Sequence, residues 1–310
     1  MKVHFDNVSL GNSSGPNTFA LALAKGLFEN NHEILLTHDH ADVSLVFIEP
    51  SGAKLAKKIV QRLDGIWFKP DQFVTHNVNI KLLYENANAV IWQSEFDSNM
   101  SKHWWGTPKN GKIIRNSTNE LPVITPMIKE LSYIRSTYDL LFISSASWHG
   151  QKRLKANTDL FLHIRNTNRN KKCGFLVLGN PDYVISDNDV MYLGHQPLNV
   201  CLEAYSISDW MIHLAWCDHS PNTVIHAISQ NTPVICSEIG GTAELVGKFG
   251  MILKEKQYNF ELADYDNPPS IDVTQIENLL QKDELLQSNV APMDTVVNEY
   301  IKVFENALLS

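Results

Sequence analysis

Short apolar runs alternate with segments of helical periodicity along almost the whole chain. In the N-terminal part, the runs predict strands at Lys2–Val8, His32–Thr37, Asp42–Glu49, Ile59–Arg62, Ala89–Gln93 and Lys112–Arg115. The segments between them predict helices at Asn17–Glu29, Phe73–Asn86 and Glu95–Trp104. Short strands that alternate with helices in this way form parallel sheets covered by helices on both faces.

The same alternation continues in the C-terminal part. Strands are predicted at Leu140–Ser144, Gly174–Leu178, Val190–Leu193, Trp210–Leu214, Pro233–Cys236 and Met251–Leu253. Helices are predicted at Lys152–Arg165, Leu198–Ile207, Pro221–Ser229 and Thr242–Val246, and the tail Asp272–Leu309 is predicted to be helical with an interruption near Pro292. A single sheet of all these strands would be unusually large. We therefore expect an α/β protein of two domains, with the proline-containing segment Asn116–Pro126 as the linker.

Composition and charge exclude several classes of protein. The net charge is -8; residues 1–125 carry 12 basic and 12 acidic residues, and the remainder carries 14 and 22. Nucleic-acid binding requires a basic face, so nucleic acid is excluded as the main partner. No apolar segment is long enough to span a membrane, which leaves at most peripheral membrane contact.

The start of the chain and its cysteines indicate a cytoplasmic protein. Met1 leads directly into a predicted strand, and not into a basic and then apolar leader. The four cysteines form no CxxC pair, so we expect buried thiols in a reducing compartment, with neither disulfides nor a zinc site. His38 and His40 have metal-ligand side chains, but a loop at a strand end accounts for them, and no metal is expected.

Two loops are candidate anion sites. The segment Asn12–Asn17, with Gly15, lies between the first strand and a helix, where free N–H groups attract anions. A plain turn explains it equally well. In Ala146–Arg153, the cations Lys152 and Arg153 crowd a predicted helix start, against the helix dipole. A bound diphosphate would account for them, and a solvated basic turn is the alternative; Trp148 could stack on a base or an acceptor, or simply pack.

A third segment carries the most specific pattern. Asp218–His226 begins with an acid at a strand end and opens into a helix. The next strand, from Thr232, leads to the glycine pair at the start of Gly240–Val246. Because open parallel sheets bind ligands at the carboxyl ends of their strands, this pattern predicts two adjacent ligand-facing loops.

The stretch from Asp218 to Val246 resembles the donor-site signature of the family 4 retaining glycosyltransferases. In that signature an acid, seven residues and a glutamate lead into Gly-Thr-Pro-Val and then Gly-Gly-x-x-Glu. Weaker resemblance extends over most of the chain. It includes the strand end Arg62-Leu63-Asp64-Gly65, which is similar to the Arg-x-Asp-Gly of one branch of the family.

The resemblance implies a GT-B fold, with two Rossmann-like domains facing across a cleft and a C-terminal helix crossing back to the N-domain. Residues 1–120 would bind the acceptor, residues 121–290 the nucleotide sugar, and residues 291–310 would form the returning helix. The donor would be a UDP- or GDP-sugar and the acceptor a saccharide or a lipid-linked glycan, and neither a cofactor nor a metal would be required.

Site residues are implied by position in the same way. Lys152 would hold the donor diphosphate, Asp218 would contact the transferred sugar, and Asp64 would lie at the catalytic centre. The catalytic set is Asp64, Arg62 and Asp218, and the donor-binding set is Gly15, Ser147, Lys152, Arg153, Ser220, Pro221, Asn222, Thr223 and His226.

Two departures from the family pattern keep alternatives open. His226 stands where the family has a glutamate for the donor ribose, and Ser147 replaces an arginine five residues before Lys152, for which Arg153 is the candidate substitute. One alternative is an inactive homologue that binds a nucleotide or glycan as an assembly subunit. Another is a sugar-nucleotide epimerase on the same fold. The retained strand end at Asp64 favours a transferase.

Overall fold

The structure is a computed structural model that describes residues 1–11, 15–124, 128–281 and 284–310. The chain forms two compact units. The first consists of Met1–Asn119, Asn259–Asp264 and Val290–Ser310, and the second of Glu120–Tyr258 and Tyr265–Asn289. Each unit contains a parallel sheet of six strands. The predicted α/β class with two separate parallel sheets is therefore confirmed.

The first unit has the strand order β2-β1-β3-β4-β5-β6. Its strands are β1 Lys2–Asp6, β2 Glu33–Leu35, β3 Val43–Phe47, β4 Ile59–Leu63, β5 Ala89–Trp92 and β6 Gly111–Ile113. Its helices are α1 Gly15–Glu29, α2 Phe73–His76, α3 Val78–Asn86, α4 Glu95–Trp105 and α10 Met293–Leu309. Every residue of β3 is buried, as expected for a strand covered on both faces.

The C-terminal helix α10 completes the core of this first unit. Its Val297, Tyr300 and Phe304 are buried together with Phe19 of α1. The two helices approach closely at Gly26, where an added Cβ would lie 2.4 Å from Val297 Cγ2. The predicted return of the last helix to the N-terminal domain is therefore present.

The segment Asn259–Asp264 belongs to the first unit, although the predicted boundaries assigned it to the second domain. The ring of Phe260 lies 5.6 Å from that of Phe96. The backbone N–H of Ala263 donates to the carbonyl of Phe68 at 3.0 Å. These contacts join residues far apart in the chain, which explains why the local pattern gave no sign of them.

The second unit has the strand order β12-β11-β10-β7-β8-β9. Its strands are β7 Leu140–Ser145, β8 Cys173–Leu178, β9 Val190–Gly194, β10 Trp210–His213, β11 Val234–Ser237 and β12 Gly250–Leu253. Its helices are α5 Lys129–Thr137, α6 Leu154–Thr167, α7 Leu198–Ser206, α8 Asn222–Ser229 and α9 Thr242–Val246. The chain runs outward from β7 to β9 and in the other direction from β10 to β12. The switch point of the sheet therefore lies between β7 and β10, where open α/β sheets bind ligands.

The two faces of this sheet carry different helices. Helix α6 packs in one apolar cluster, with Leu160, Phe161 and Ile164. Helices α7, α8 and α9 contribute to a second cluster, which contains Tyr205, Val224 and Val246. A ligand at the switch point is therefore bordered by different helices on its two sides.

Several predicted helix bounds were wrong. The helix predicted from Lys152 begins at Leu154, because Gly150–Lys152 forms a 3-10 turn and the backbone of Arg153 is in the left-handed conformation, with φ of 50°. Phe73–Asn86 is divided at Asn77, whose side chain bonds the backbone of Trp67. Helix α5 was not predicted.

In the tail predicted to be helical, the described residues include a 3-10 turn at Val273–Gln275, 3-10 geometry at Glu284 and helix α10, and most of the chain between them is irregular. Residues 12–14 of the first predicted loop, 125–126 of the linker and 282–283 of the tail lie outside the described residues. Across the ranges that the structure covers, no helix is both long and apolar enough to cross a membrane.

Candidate functional site

The loops that follow β7 and β10 are tied together at the switch point. The backbone N–H of Trp216 donates to the carbonyl of Gln151 at 2.9 Å, and the Gln151 amide donates to the carbonyl of Cys217. This pairing places Lys152 beside Asp218, with the ammonium nitrogen 2.5 Å from the carboxylate Oδ2. The structure therefore brings together two of the residues predicted for donor binding and catalysis.

His213, the last residue of β10, is the second partner of Asp218. Its Nε2 lies 3.1 Å from the same Oδ2 atom, and its side chain is buried. Although burial alone would raise the pKa of Asp218, the Lys152 ammonium and the His213 hydrogen bond hold it well below its usual value. Burial lowers the pKa of His213 against the opposing effect of Asp218. Asp218 is therefore an ionised carboxylate facing a neutral imidazole.

The glycine pair after β11 is hydrogen-bonded to the loop that contains Asp218. The N–H of Gly241 donates to the carbonyl of Asp218 at 2.7 Å. Gly240 has a φ of 130°, and a Cβ there would lie 2.7 Å from the same carbonyl oxygen. A side chain at this position would meet both a strained backbone and a backbone clash. The predicted pair of adjacent loops is thus a single interlocked structure.

Two buried hydroxyls beside these loops have no hydrogen-bond partner among the residues that the structure describes. They are Ser220 Oγ, two residues beyond Asp218, and Thr242 Oγ1, which follows the glycine pair. A buried hydroxyl without a partner costs about 1–3 kcal/mol. Ligand oxygens at the loop would remove that cost. The segment Ser220–Thr223 also leads into the N-terminus of α8, where the helix dipole favours an anion.

His226 and Ser147, the two departures from the family pattern, lie in different surroundings. His226 is buried on α8, and burial lowers its pKa to about 4, so the imidazole is neutral at pH 7. Ser147 is exposed in the loop after β7. The next residue, Trp148, donates its indole N–H to the carbonyl of Leu178 at 2.7 Å.

Arg153, the predicted substitute for the missing arginine, is a buried cross-link. Its Nη2 donates to Glu255 Oε2 and to the carbonyl of Pro269, each at 2.7 Å, and Nη1 donates to the carbonyl of Leu214. The guanidinium is thus engaged by Glu255, a residue that sequence reasoning missed. The second half of the diphosphate clamp is therefore not supported at Arg153.

The first unit holds the other predicted catalytic pair at the end of β4. Arg62 is 1% exposed and donates to Asp64 and, at 2.8 Å, to Asn116 Oδ1. Its guanidinium also lies over the rings of Phe19 and Phe47, at 4.4 and 5.2 Å from their centroids. Asp64 is the more exposed member of the pair, so Arg62 fixes its position.

An open cavity of about 470 Å³ lies beside the carboxyl end of β1 in the same unit. Asp6 lines it and accepts a hydrogen bond from the Ser51 N–H at 2.9 Å. Asn17 of α1 lines it as well and accepts from the Ser9 N–H. Gly15 opens α1 two residues earlier. Asp6 and Asn17 thus place two polar side chains at the cavity beside the start of α1.

Among the described residues, no cluster of three or more histidine, cysteine, aspartate or glutamate side chains could hold a metal ion. His38 contacts Asp39 at 3.4 Å.

Comparisons with known proteins identify the fold. No family model matches the chain, and no curated protein matches it in sequence. Anabaena Alr3699/HepE, solved with UDP and glucose, matches at 16% identity and a TM-score of 0.61, over 99% of this chain and 95% of its own. Sucrose-phosphate synthase from Thermosynechococcus elongatus matches at 11% and 0.60, over 100% and 93%. AviGT4, a glycosyltransferase of avilamycin A biosynthesis, matches at 14% and 0.60, over 100% and 98%. The chain has the GT-B fold of these glycosyltransferases.

Proposed function

We propose that the protein is a retaining glycosyltransferase that moves a sugar from a nucleoside diphosphate donor to a hydroxyl of a saccharide or a lipid-linked glycan. The observation that carries this proposal is the Lys152–Asp218 pair at the switch point of the second sheet, in a chain with the GT-B fold. An ammonium on a flexible stem beside an ionised carboxylate offers one partner for a phosphate and one for sugar hydroxyls.

Lys152 is proposed to hold the donor diphosphate. A lysine ammonium is a compact charge on a flexible stem, so it can leave one oxygen anion for another. In a phosphate complex it would form charge-assisted hydrogen bonds with the leaving diphosphate. The negative charge on that diphosphate grows as the glycosidic bond breaks, and a fixed cation nearby lowers the barrier.

Asp218 is proposed to accept hydrogen bonds from the transferred sugar. Its lowered pKa keeps it ionised throughout the neutral range. When Lys152 turns to the phosphate, His213 still holds the Oδ2 atom, so the carboxylate keeps its orientation. His213 is thus proposed as a positioning residue.

The loop into α8 is proposed to bind the rest of the donor. Ser220, Pro221, Asn222 and Thr223 would present the Ser220 hydroxyl and backbone N–H groups at the start of α8. Neutral His226 would form a hydrogen bond with a ribose hydroxyl. Structural similarity to Alr3699/HepE, solved with UDP and glucose, supports a UDP-sugar as the first donor to test.

The first unit is proposed to bind the acceptor. Its cavity beside the carboxyl end of β1 would hold the acceptor near Gly15, and Asp64 would be the catalytic carboxylate of this unit. The reaction is proposed to require no metal ion.

A panel of UDP- and GDP-sugars tests the proposal, with release of UDP or GDP as the readout. We expect Lys152→Ala to lower kcat/KM about 100-fold or more, as loss of one transition-state partner does in other enzymes. Lys171→Ala removes an exposed lysine before β8 and should leave turnover unchanged. Equal turnover in the wild type and Lys152→Ala would remove Lys152 from the mechanism.

The same assays separate the alternatives. Calorimetry that detects tight binding of UDP or GDP, without transfer to any acceptor, would indicate an inactive homologue. Conversion of the donor sugar without an acceptor would indicate an epimerase.

A further inference from the structure

A second cavity in the second unit lies on the side of the sheet that α6 covers. Its volume is about 640 Å³. We call it the α6 cavity, and the residues that define it here are Trp148, Lys155, Asp159, Asp182, Tyr183 and Asp266. They come from the loop after β7, the start of α6, the segment after β8 and the segment after β12.

The α6 cavity adjoins the Lys152–Asp218 group but is not part of it. Helix α8, which carries His226, packs in the apolar cluster on the opposite face of the sheet. The link between the two places is His149, which lines the α6 cavity. Burial and Lys152 lower the pKa of His149, while Asp218 and Asp266 oppose that change. His149 precedes Lys152 by three residues in the chain and lines the same cavity as Asp266.

The charges that line the α6 cavity disfavour a phosphate ligand. Three carboxylates line it, and its Lys155 ammonium is 2.6 Å from the carboxylate of Asp159. The buried guanidinium of Arg153 is compensated by Glu255. The lining thus carries excess negative charge, which would repel a nucleotide or a sugar phosphate.

The walls of the α6 cavity are aromatic and firmly held. Trp148 is fixed by its N–H bond to the Leu178 carbonyl, and its ring abuts Gly179, where a Cβ would lie 3.1 Å from the indole. Tyr183, at 54% exposed, offers a second ring. Flat rings pack against the C–H face of a sugar ring, and neighbouring carboxylates accept hydrogen bonds from its hydroxyls.

The remaining wall is held in place at the level of the backbone. At Gly150, an added Cβ would lie 1.8 Å from the Asp266 carbonyl oxygen, so the loop after β7 lies directly against the segment after β12. Arg153 donates to the Pro269 carbonyl at 2.7 Å and joins the same two segments. A cavity formed in advance binds a ligand without the cost of ordering its walls.

We propose that the α6 cavity is a saccharide-binding site that takes an uncharged sugar of one or two rings. Trp148 and Tyr183 would stack on the sugar, and Asp182 and Asp266 would accept its hydroxyls. The proposal rests on the second unit alone and does not require transferase activity. A chain that fails every transfer assay could still bind sugar there.

Saturation-transfer NMR and calorimetry without nucleotide test this site, with maltose, lactose and cellobiose as probes. These uncharged disaccharides differ in the configuration of their hydroxyls and linkages. Tyr183→Ala and Asp182→Asn should weaken binding of the best probe about fivefold or more, the loss expected for one stacked or hydrogen-bonded contact. Both side chains are exposed, so the variants should remain folded.

Tyr133→Ala is the matched control, because Tyr133 is a 73% exposed tyrosine on α5 of the same unit and lies outside the cavity lining. It should bind the probe as the wild type does. Three results would overturn the proposal: no binding of any of the three disaccharides, an equal loss in Tyr133→Ala, or tighter binding of glucose 6-phosphate or tetramethylammonium than of the disaccharides.

Discussion

Each unit places a cation beside a carboxylate at the carboxyl end of a parallel strand, yet the two pairs are built differently. In the first unit, Arg62 is 1% exposed and Asp64 is 16% exposed. In the second, Lys152 and Asp218 are 18% and 12% exposed. The cation is thus fully buried in the first pair and partly accessible to solvent in the second.

The difference in solvent exposure suits the two ion pairs to different tasks. The guanidinium of Arg62 has fixed partners on its edge and aromatic rings near its face, so it serves as a permanent support for Asp64. The ammonium of Lys152 has one carboxylate partner among the bonds described for it, and a lysine can exchange such a partner for a phosphate. The first unit presents a fixed carboxylate, and the second is proposed to present an exchangeable cation.

The largest expected effect is on stability in the first unit. Arg62→Ala should lower the free energy of unfolding by about 3–5 kcal/mol, because the buried Asn116 loses its donor and Asp64 loses its cation. Lys152→Ala should lower it by less, about 1–2 kcal/mol, because the largely buried Asp218 loses its cation but keeps the hydrogen bond of His213. Urea unfolding of both variants measures the contrast. Similar losses in the two would contradict the distinction.

The next effect is on turnover in the second unit. Asp218→Asn should lower donor turnover about 100-fold, close to 3 kcal/mol, because the amide keeps the shape but not the charge. Asp209→Asn is the control, since Asp209 pairs with Arg135 at the opposite end of β10. It should leave kcat/KM unchanged. A comparable loss in both variants would point to general damage of the strand.

Protonation should affect the second unit through His226, which is buried on α8. Burial lowers the pKa of His226 from 6.5 to about 4, so between these values only the unfolded chain binds the proton. Stability should therefore fall as the pH drops from 6.5 towards 4. His226→Gln should remove on the order of 2–3 kcal/mol of that fall.

Urea unfolding at several pH values across this range measures the slope of each variant. His195→Gln, which changes an exposed histidine, should keep the wild-type slope. If His226→Gln also kept it, the buried neutral state of His226 would be disproved.

The smallest expected effect concerns His213. His213→Phe keeps an aromatic ring but removes the hydrogen bond to Asp218, and donor turnover should fall about tenfold. Because His213 is proposed to act through Asp218, the double variant with Asp218→Asn should be no slower than Asp218→Asn alone. Independent, additive losses would show that His213 has another role.

Much of this arrangement could be predicted from the sequence, because it follows local rules. Alternating apolar and helical segments gave both parallel sheets. Lys152 and Asp218 both follow buried strands, and the carboxyl ends of parallel strands meet at one edge. Gly240 and Gly241 predicted a loop adjacent to that of Asp218, and the structure joins the two loops at the Asp218 carbonyl.

The rest depends on contacts between distant residues. Glu255 binds Arg153 across 102 positions of the chain, so the sequence gave no reason to assign the cation to a structural role. His213 was a single polar residue at the end of an apolar strand. The segment after Val273–Gln275 has a helix-forming composition, yet Leu279 and Leu285 pack on the core of the second unit from irregular chain. Tertiary packing there outweighs local propensity.

The path of the chain between the units has a consequence for biosynthesis. The backbone passes from one unit to the other four times, and Val290–Ser310 returns to the first. A ribosome therefore delivers the whole second unit before it makes α10, which covers the apolar side chains of α1 and its sheet. The apolar face that α10 covers therefore stays without this cover until all residues of the second unit have been made. Synthesis of the first unit thus begins before that of the second unit and ends after it.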